Sequence, residues 1–318
     1  MFNKFIADEC LKAVEGLDSA ISDNVPDTIY HYTKAESFRG IIESREIWMT
    51  NAFFVNDKME LRHWSNCNDL FEGVEFNNPE FKKLKNECNV EDYYLACFSK
   101  DGNSLSQFCA YGDYCIGFES QKLKKNLFQL FECVYAPEAI KEWVVKKDKL
   151  EEWRNKCFDN DQGKVYKRVA FYGVEYAARA KLKNKHYESE EEIRLLVVSN
   201  SSWDGYTSTM FTGQPAIYFK NSNTLNVPEP YVKFFIPKKS HKIEELNEMV
   251  DGKSTIESKQ IIRNIEKEQG RELLPISKVI IGPMRHQEEA VVATKIFLRE
   301  KGYDKVKVEG SDIPFRGN

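Results

Sequence analysis

The chain has 318 residues, 42% hydrophobic and 13% aromatic, enough for a packed globular core. Lysine and arginine total 46 against 50 aspartate and glutamate, a net charge of −4, so no global electrostatic pull toward nucleic acid exists. No apolar run approaches the ~20 residues a membrane helix needs, and Met1–Leu17 is interrupted by Lys4, Asp8, Glu9, Lys12 and Glu15, so the sequence reads as cytoplasmic with no membrane partner.

The eight cysteines contain no CxxC and the five histidines no HxxxH or HxH, so no zinc pattern and no metal site is expected. Phe5, Ile6, Cys10, Leu11 and Val14 form one helical stripe and predict a helix over Phe5–Leu17, ended by Asp23–Pro26. Ile29–Thr33 (IYHYT) is β-branched and aromatic and predicts a short buried strand. Strand alternation puts His31 and Thr33 on one face of it, Tyr30 and Tyr32 on the other. Phe38, Ile41 and Ile42 recur at helical spacing within Ala35–Ser44, and Glu46–Thr50 returns to strand. Asn56 or Asp57 can cap a helix over Leu61–Phe71, with a second polar helix around Glu80–Cys88. Tyr93–Phe98 is the next strand, ending in a polar turn, Ser99–Asn103. Ser104 with Gln107 has the form of a capping box, so Leu105–Ala110 is expected to be a short helix stopped by Gly112, before the strand Tyr114–Phe118. Ser104, Ser106, Gln107, Tyr111 and Asp113 are thereby gathered near one strand end.

After a strand at Phe131–Tyr135 the pattern changes to charged helices, Ile140–Cys157 and Val165–Leu182, read as a helical insertion over 138–183. In Glu190–Val198, the residues Glu190, Glu192 and Arg194 fall at strand spacing before an apolar run, Leu195–Val198. Charges entering a buried strand either pair with one another as a ladder or line a cleft. A one-residue slip in register would turn Glu191 inward instead. Strands follow at Ala216–Lys220 and Tyr231–Ile236, then a mixed-charge helical stretch, Lys238–Gln269. The C-terminal unit is a strand (Lys278–Ile281), a Gly282-Pro283 turn that either ends the strand or offers a weak anion site, a helix (Gln287–Lys301) and a last strand (Val306–Val308). With no Gly-, Ser- or Pro-rich linker, a single composite α+β domain over 1–318 is expected.

In chain order, IYHYT with its GIIES turn, EIWMTN, ND, CFS with SLSQFCAYGD and CIGF, the E-x-E-x-R segment, VIIGP and IPFR resemble the bacterial domain-of-unknown-function 2971 family over nearly the whole chain. The His-Tyr-Thr strand also looks like the NAD-binding first strand of ADP-ribosyltransferase toxins, including the DarT-like enzymes and other members of the His-Tyr-Glu class. The resemblance implies an ADP-ribosyltransferase-like mixed sheet with helices around it, and NAD as substrate. It further implies that Glu192 or Glu190 is the carboxylate that stabilises positive charge on the ribose, the other orienting or deprotonating the acceptor. His31 would bond the ribose hydroxyls, Tyr32, Thr33 and Ser99 would complete the cofactor site, and Tyr111 would stack on nicotinamide. Arg194 would pair with the carboxylates or hold the pyrophosphate, for which no GxGxxG or GxxxxGK loop exists. The implied setting is an intracellular toxin or anti-phage effector acting on nucleic acid or protein, with a cognate antitoxin as partner. The alternative is a catalytically silent module that binds a nucleotide or nucleic acid through the same residues. A hydrolase built on Ser99 or Ser106 lacks a local base.

Overall fold

The computed structural model describes residues 25–55, 93–123, 129–135, 181, 183–198, 215–221, 226–238, 245, 249, 255–268 and 270–314. The expected helices Phe5–Leu17, Leu61–Phe71 and Glu80–Cys88 lie outside them, as does the insertion over 138–183 apart from Lys181 and Lys183. Among the described residues ten strands form one mixed sheet: β1 (Thr28–Thr33), β2 (Ile47–Asn51), β3 (Tyr93–Ser99), β4 (Tyr114–Glu119), β5 (Gln129–Glu132), β6 (Glu192–Val198), β7 (Ile217–Asn221), β8 (Pro228–Phe234), β9 (Ile276–Ile281) and β10 (Lys307–Gly310). Five helices accompany them, α1 (Ala35–Ser44), α2 (Leu105–Tyr111), α3 (Ser120–Leu123), α4 (Thr255–Glu268) and α5 (Gln287–Glu300). A large mixed sheet with several helices is consistent with the α+β class. No described helix is long and apolar enough to cross a membrane.

The sheet runs β10-β9-β4-β1-β3-β2-β8-β7, with β6 added to β3 and β5 to β6. All pairs are antiparallel except β9 with β10, the parallel pair that α5 connects. β6 lies along the whole of β3, from Tyr93 opposite Val198 to Ser99 opposite Glu192. The remaining edge of β3 therefore serves both β1, where Tyr30 faces Ser99, and β2, where Thr50 and Asn51 face Leu95 and Tyr94. Both run antiparallel to β3, so they compete for the same backbone groups near Ala96–Phe98, and the sheet forks there. α1 connects the two arms. Its apolar stripe, Phe38, Ile41 and Ile42, is buried, and it ends at Arg45, whose backbone is left-handed (φ 57°) and whose N–H caps the Ile41 carbonyl at 2.9 Å.

The main core lies on one face of the sheet and includes Ile29, Phe98, Ile116, Phe118, Ile193, Leu195, Val232, Phe234 and Val279, together with the α1 residues. Each such side chain contributes about 1.5–3 kcal/mol through burial. A smaller cluster, Tyr32, Phe108, Cys115 and Ile280, occupies the opposite face, where α2 packs on β1.

Three local expectations change around α2, β5 and β6. The strand expected over Glu190–Val198 begins at Glu192, because Lys185–Glu190 winds into a 3-10 turn and Glu191 adopts a left-handed conformation (φ 43°). The strand expected over Phe131–Tyr135 is Gln129–Glu132, ended where Val134 turns to pair with Lys181 and Lys183. Ser104 takes the N-cap position of α2 without a side-chain cap bond, its Oγ meeting Ser106 Oγ at 3.0 Å while Gln107 is buried, so no capping box forms.

Gly112 stops α2 at φ 125°, where an added Cβ would lie 2.8 Å from the Thr33 carbonyl and the Lys34 nitrogen. Gly112→Ala should lower stability by about 2 kcal/mol through both the clash and the strained backbone. The measurement is a urea unfolding curve, expected to shift to a lower midpoint at unchanged slope.

Candidate functional site

The site forms where β6 begins. Ile193, Leu195 and Val197 alternate into the main core, which leaves Glu192 and Arg194 side by side on the other face. Both are buried, Arg194 completely. Nε of Arg194 donates to Glu192 Oε1 at 2.8 Å. The second Glu192 oxygen accepts from Nζ of Lys183, and the same ammonium also bonds Glu190. Tyr111, the last residue of α2, donates its hydroxyl to Glu190 Oε1 at 3.1 Å. The Tyr135 hydroxyl accepts from the Glu192 backbone N–H at 2.9 Å. Tyr111, Glu190, Lys183, Glu192 and Arg194 thus form one connected chain, with two carboxylates against two cations.

Burial raises the pKa of Glu192, but the Arg194 guanidinium and then the Lys183 ammonium outweigh it and hold the carboxyl at about 2. Burial lowers that of Lys183, and Glu192 foremost reverses this, so the net shift is upward. Burial, with Glu190 next, pushes the Tyr111 phenol up. At neutral pH the site therefore holds an ionised carboxylate, a protonated ammonium and a neutral phenol.

His31 lies at the fork. Its Nδ1 meets the Cys97 carbonyl at 2.9 Å and its ring tilts against Phe98 at 5.6 Å. Burial depresses its pKa, so the ring is neutral; a carbonyl only accepts, so Nδ1 carries the proton and Nε2 is left as an acceptor. Cys97 pairs with Arg194 across β3 and β6, so His31 and Arg194 flank Cys97 from the two edges of β3. Among the described residues no hydrogen bond joins His31 to Glu190 or Glu192, and its contact with Phe98 places it toward the core side of the sheet.

The other expected site residues fall elsewhere. The Tyr32 hydroxyl donates to the Asp101 carbonyl at 2.8 Å and accepts from the Ser104 N–H at 2.9 Å, pinning the turn after β3. Ser99 is buried, its Oγ accepting from the Asp101 N–H at 3.1 Å. Thr33 is buried at the end of β1, against Gly112. The Gly282 N–H donates to the Asp113 carbonyl at 2.7 Å, as a strand terminator does. Two residues of the site carry no sequence signal as functional. Lys183 is one of four alternating basic residues, Arg179, Lys181, Lys183 and Lys185, none distinguished from the others, and the exposed Cys97 lies beside Arg194 across β3 and β6. Only the alternation of Cys97 with Ser99 in YYLACFS could have placed the former on this face.

Both depressed groups bind more protons when unfolded, so their stabilisation exists above the ordinary values and is lost on acidification. The His31 contribution fades as pH falls below 6.5, and that of Glu192 between 4.5 and about 2. Glu192→Gln leaves the two buried cations short of a counter-charge, which should cost about 3 kcal/mol at pH 7 and flatten the fall below pH 4.5. Urea midpoints collected from pH 7 to pH 3 for both proteins check this. Compared with family models, curated proteins and solved structures, the chain matches none of them.

Proposed function

We propose that this cluster is the reaction centre of an NAD-dependent ADP-ribosyltransferase-like enzyme. The observation that carries the reading is Glu192, a buried carboxylate held ionised at the head of a core strand, with a second carboxylate, Glu190, joined to it through Lys183. In the reaction the bond from ribose C1′ to nicotinamide breaks, the pyridine nitrogen leaves with the electron pair, and positive charge develops on the sugar. A carboxylate held at about 2 is a weak base but a permanent negative charge, suited to stabilising that cation. Glu190, less buried and bonded to Tyr111, would take the proton as the acceptor attacks C1′. Arg194 fixes the orientation of Glu192, while His31, set toward the core side of the sheet, would offer Nε2 to a ribose hydroxyl through the fork between β1 and β2. The mixed sheet with helices packed on it is compatible with an ADP-ribosyltransferase-like core. Nucleic acid or protein is the acceptor in this reading, and a toxin or defence effector held in check by an antitoxin is its setting.

A second reading, a silent nucleotide- or nucleic-acid-binding module, is favoured by the saturation of Glu192, whose two oxygens already face cations. Nicotinamide release from NAD, measured with RNA, DNA or lysate as acceptor, separates the two. The transferase reading expects release that falls at least ~100-fold in Glu192→Gln and roughly 10-fold or more in His31→Ala, where a ribose contact is lost. Full activity in a folded Glu192→Gln protein would falsify it, and nucleotide binding without any release would establish the module.

A further inference from the structure

Two cations hold Glu192, and they are not equivalent. Arg194 sits in a strand paired on both sides, opposite Cys97 of β3 and Phe131 of β5, and its side chain is 0% exposed. Its backbone is held at both edges and its guanidinium is enclosed, so it is the less free of the two cations to leave Glu192 for a ligand. Lys183 lies outside the described strands, ahead of the 3-10 turn Lys185–Glu190, its N–H donating to the Val134 carbonyl at 3.2 Å and its side chain 6% exposed. Its ammonium rests 4.8 Å over the ring of Tyr187, an exposed residue, and stands between the two carboxylates. Lys100, whose N–H donates to the Glu191 carbonyl, is engaged with Glu132.

We propose that Lys183 is the phosphate-binding cation of the site: on arrival of a diphosphate its ammonium moves from Glu192 to the phosphate oxygens, which also frees one Glu192 oxygen to face the sugar. This rests on the NAD reading above for the identity of the diphosphate. A compact ammonium on a flexible four-carbon stem suits such an exchange, where a fixed guanidinium fork does not. A diphosphate brings at least two negative charges to compete with single carboxylates at the same distance. Cofactor binding and the unmasking of Glu192 then become one event, and the missing glycine-rich cradle is replaced by one mobile charge.

The test compares ADP with adenosine by calorimetric titration of the full chain. Wild type should bind ADP at least ~10-fold tighter than adenosine, Lys183→Met should abolish that preference while leaving adenosine affinity within about 2-fold, and Lys183→Arg should retain part of it. Should Lys183→Met fail to fold, Lys183→Met/Glu190→Gln removes one charge of each sign and keeps the cluster neutral. Equal binding of ADP and adenosine by wild type, a full preference in the folded variants, or no binding of either ligand overturns the assignment. Nicotinamide release without a Lys183-dependent preference leaves the transferase reading standing and this assignment wrong. A Lys183-dependent preference without release does the reverse.

Discussion

A strand has two edges, and β3 has three neighbours. Because β6 takes one edge entirely, β1 and β2 divide the other, and the sheet opens between Tyr30 opposite Ser99 and Thr50 opposite Leu95. Much else follows from this division. α1 must turn the chain from one arm to the other, so it is short, and its stripe of Phe38, Ile41 and Ile42 closes the core beneath the fork. His31 emerges where β1 has parted from β3, and its imidazole reaches the Cys97 carbonyl across the opening. The arms are held apart by separate contacts, β1 by six residue pairs with β4 and β2 by pairing with β8.

The other edge of β3 carries the charge cluster. Four ionic groups are brought close to one another where water is largely excluded, an arrangement that rarely stabilises a fold beyond what apolar side chains of equal volume would contribute. Its value lies in orientation: Glu192 is bonded on each oxygen, and Tyr135 fixes its backbone N–H. A second polar network on the β2–β8–β7 arm shows the contrast. Buried Glu46 meets Arg271 and, at 3.3 Å, Lys233, while Trp48 stacks at 4.5 Å on Tyr231. Glu266 there accepts from Tyr218 at 2.6 Å and from the Ala216 N–H at 2.9 Å, and burial pushes its pKa up. Buried Glu192 and buried Glu266 thus shift in opposite directions, because the first has two cations bonded to it and the second has neutral donors.

The turn after β3 links the two halves of the site. Tyr32 from β1 bonds both Asp101 and Ser104, and Ser99 bonds Asp101, so the start of α2 is fixed relative to β1. α2 then delivers Tyr111 to Glu190 across 79 residues of sequence. Asn103 is tied in turn to Ser311 at 2.6 Å and to Asp312, which anchors the C-terminal segment to the same turn.

What the sequence by itself determined was local period. The alternation in IYHYT, YYLACFS and EIRLLVV set which residues share a face, the spacing of Phe38, Ile41 and Ile42 set α1, and Gly112 set the end of α2. Glu192 and Arg194 were legible as a charged face for the same reason. Glu190 falls with them on the same alternation, but the left-handed turn at Glu191 breaks it, and Glu190 joins them from a 3-10 turn through Lys183. Only the tertiary structure decided partners. That β3 would be shared by β1 and β2, that Lys183 would join the two glutamates, and that Tyr32 would pin a turn rather than lie open depend on contacts between distant segments. Period records the face a side chain takes, whereas its partner is set by how separated stretches of chain pack together.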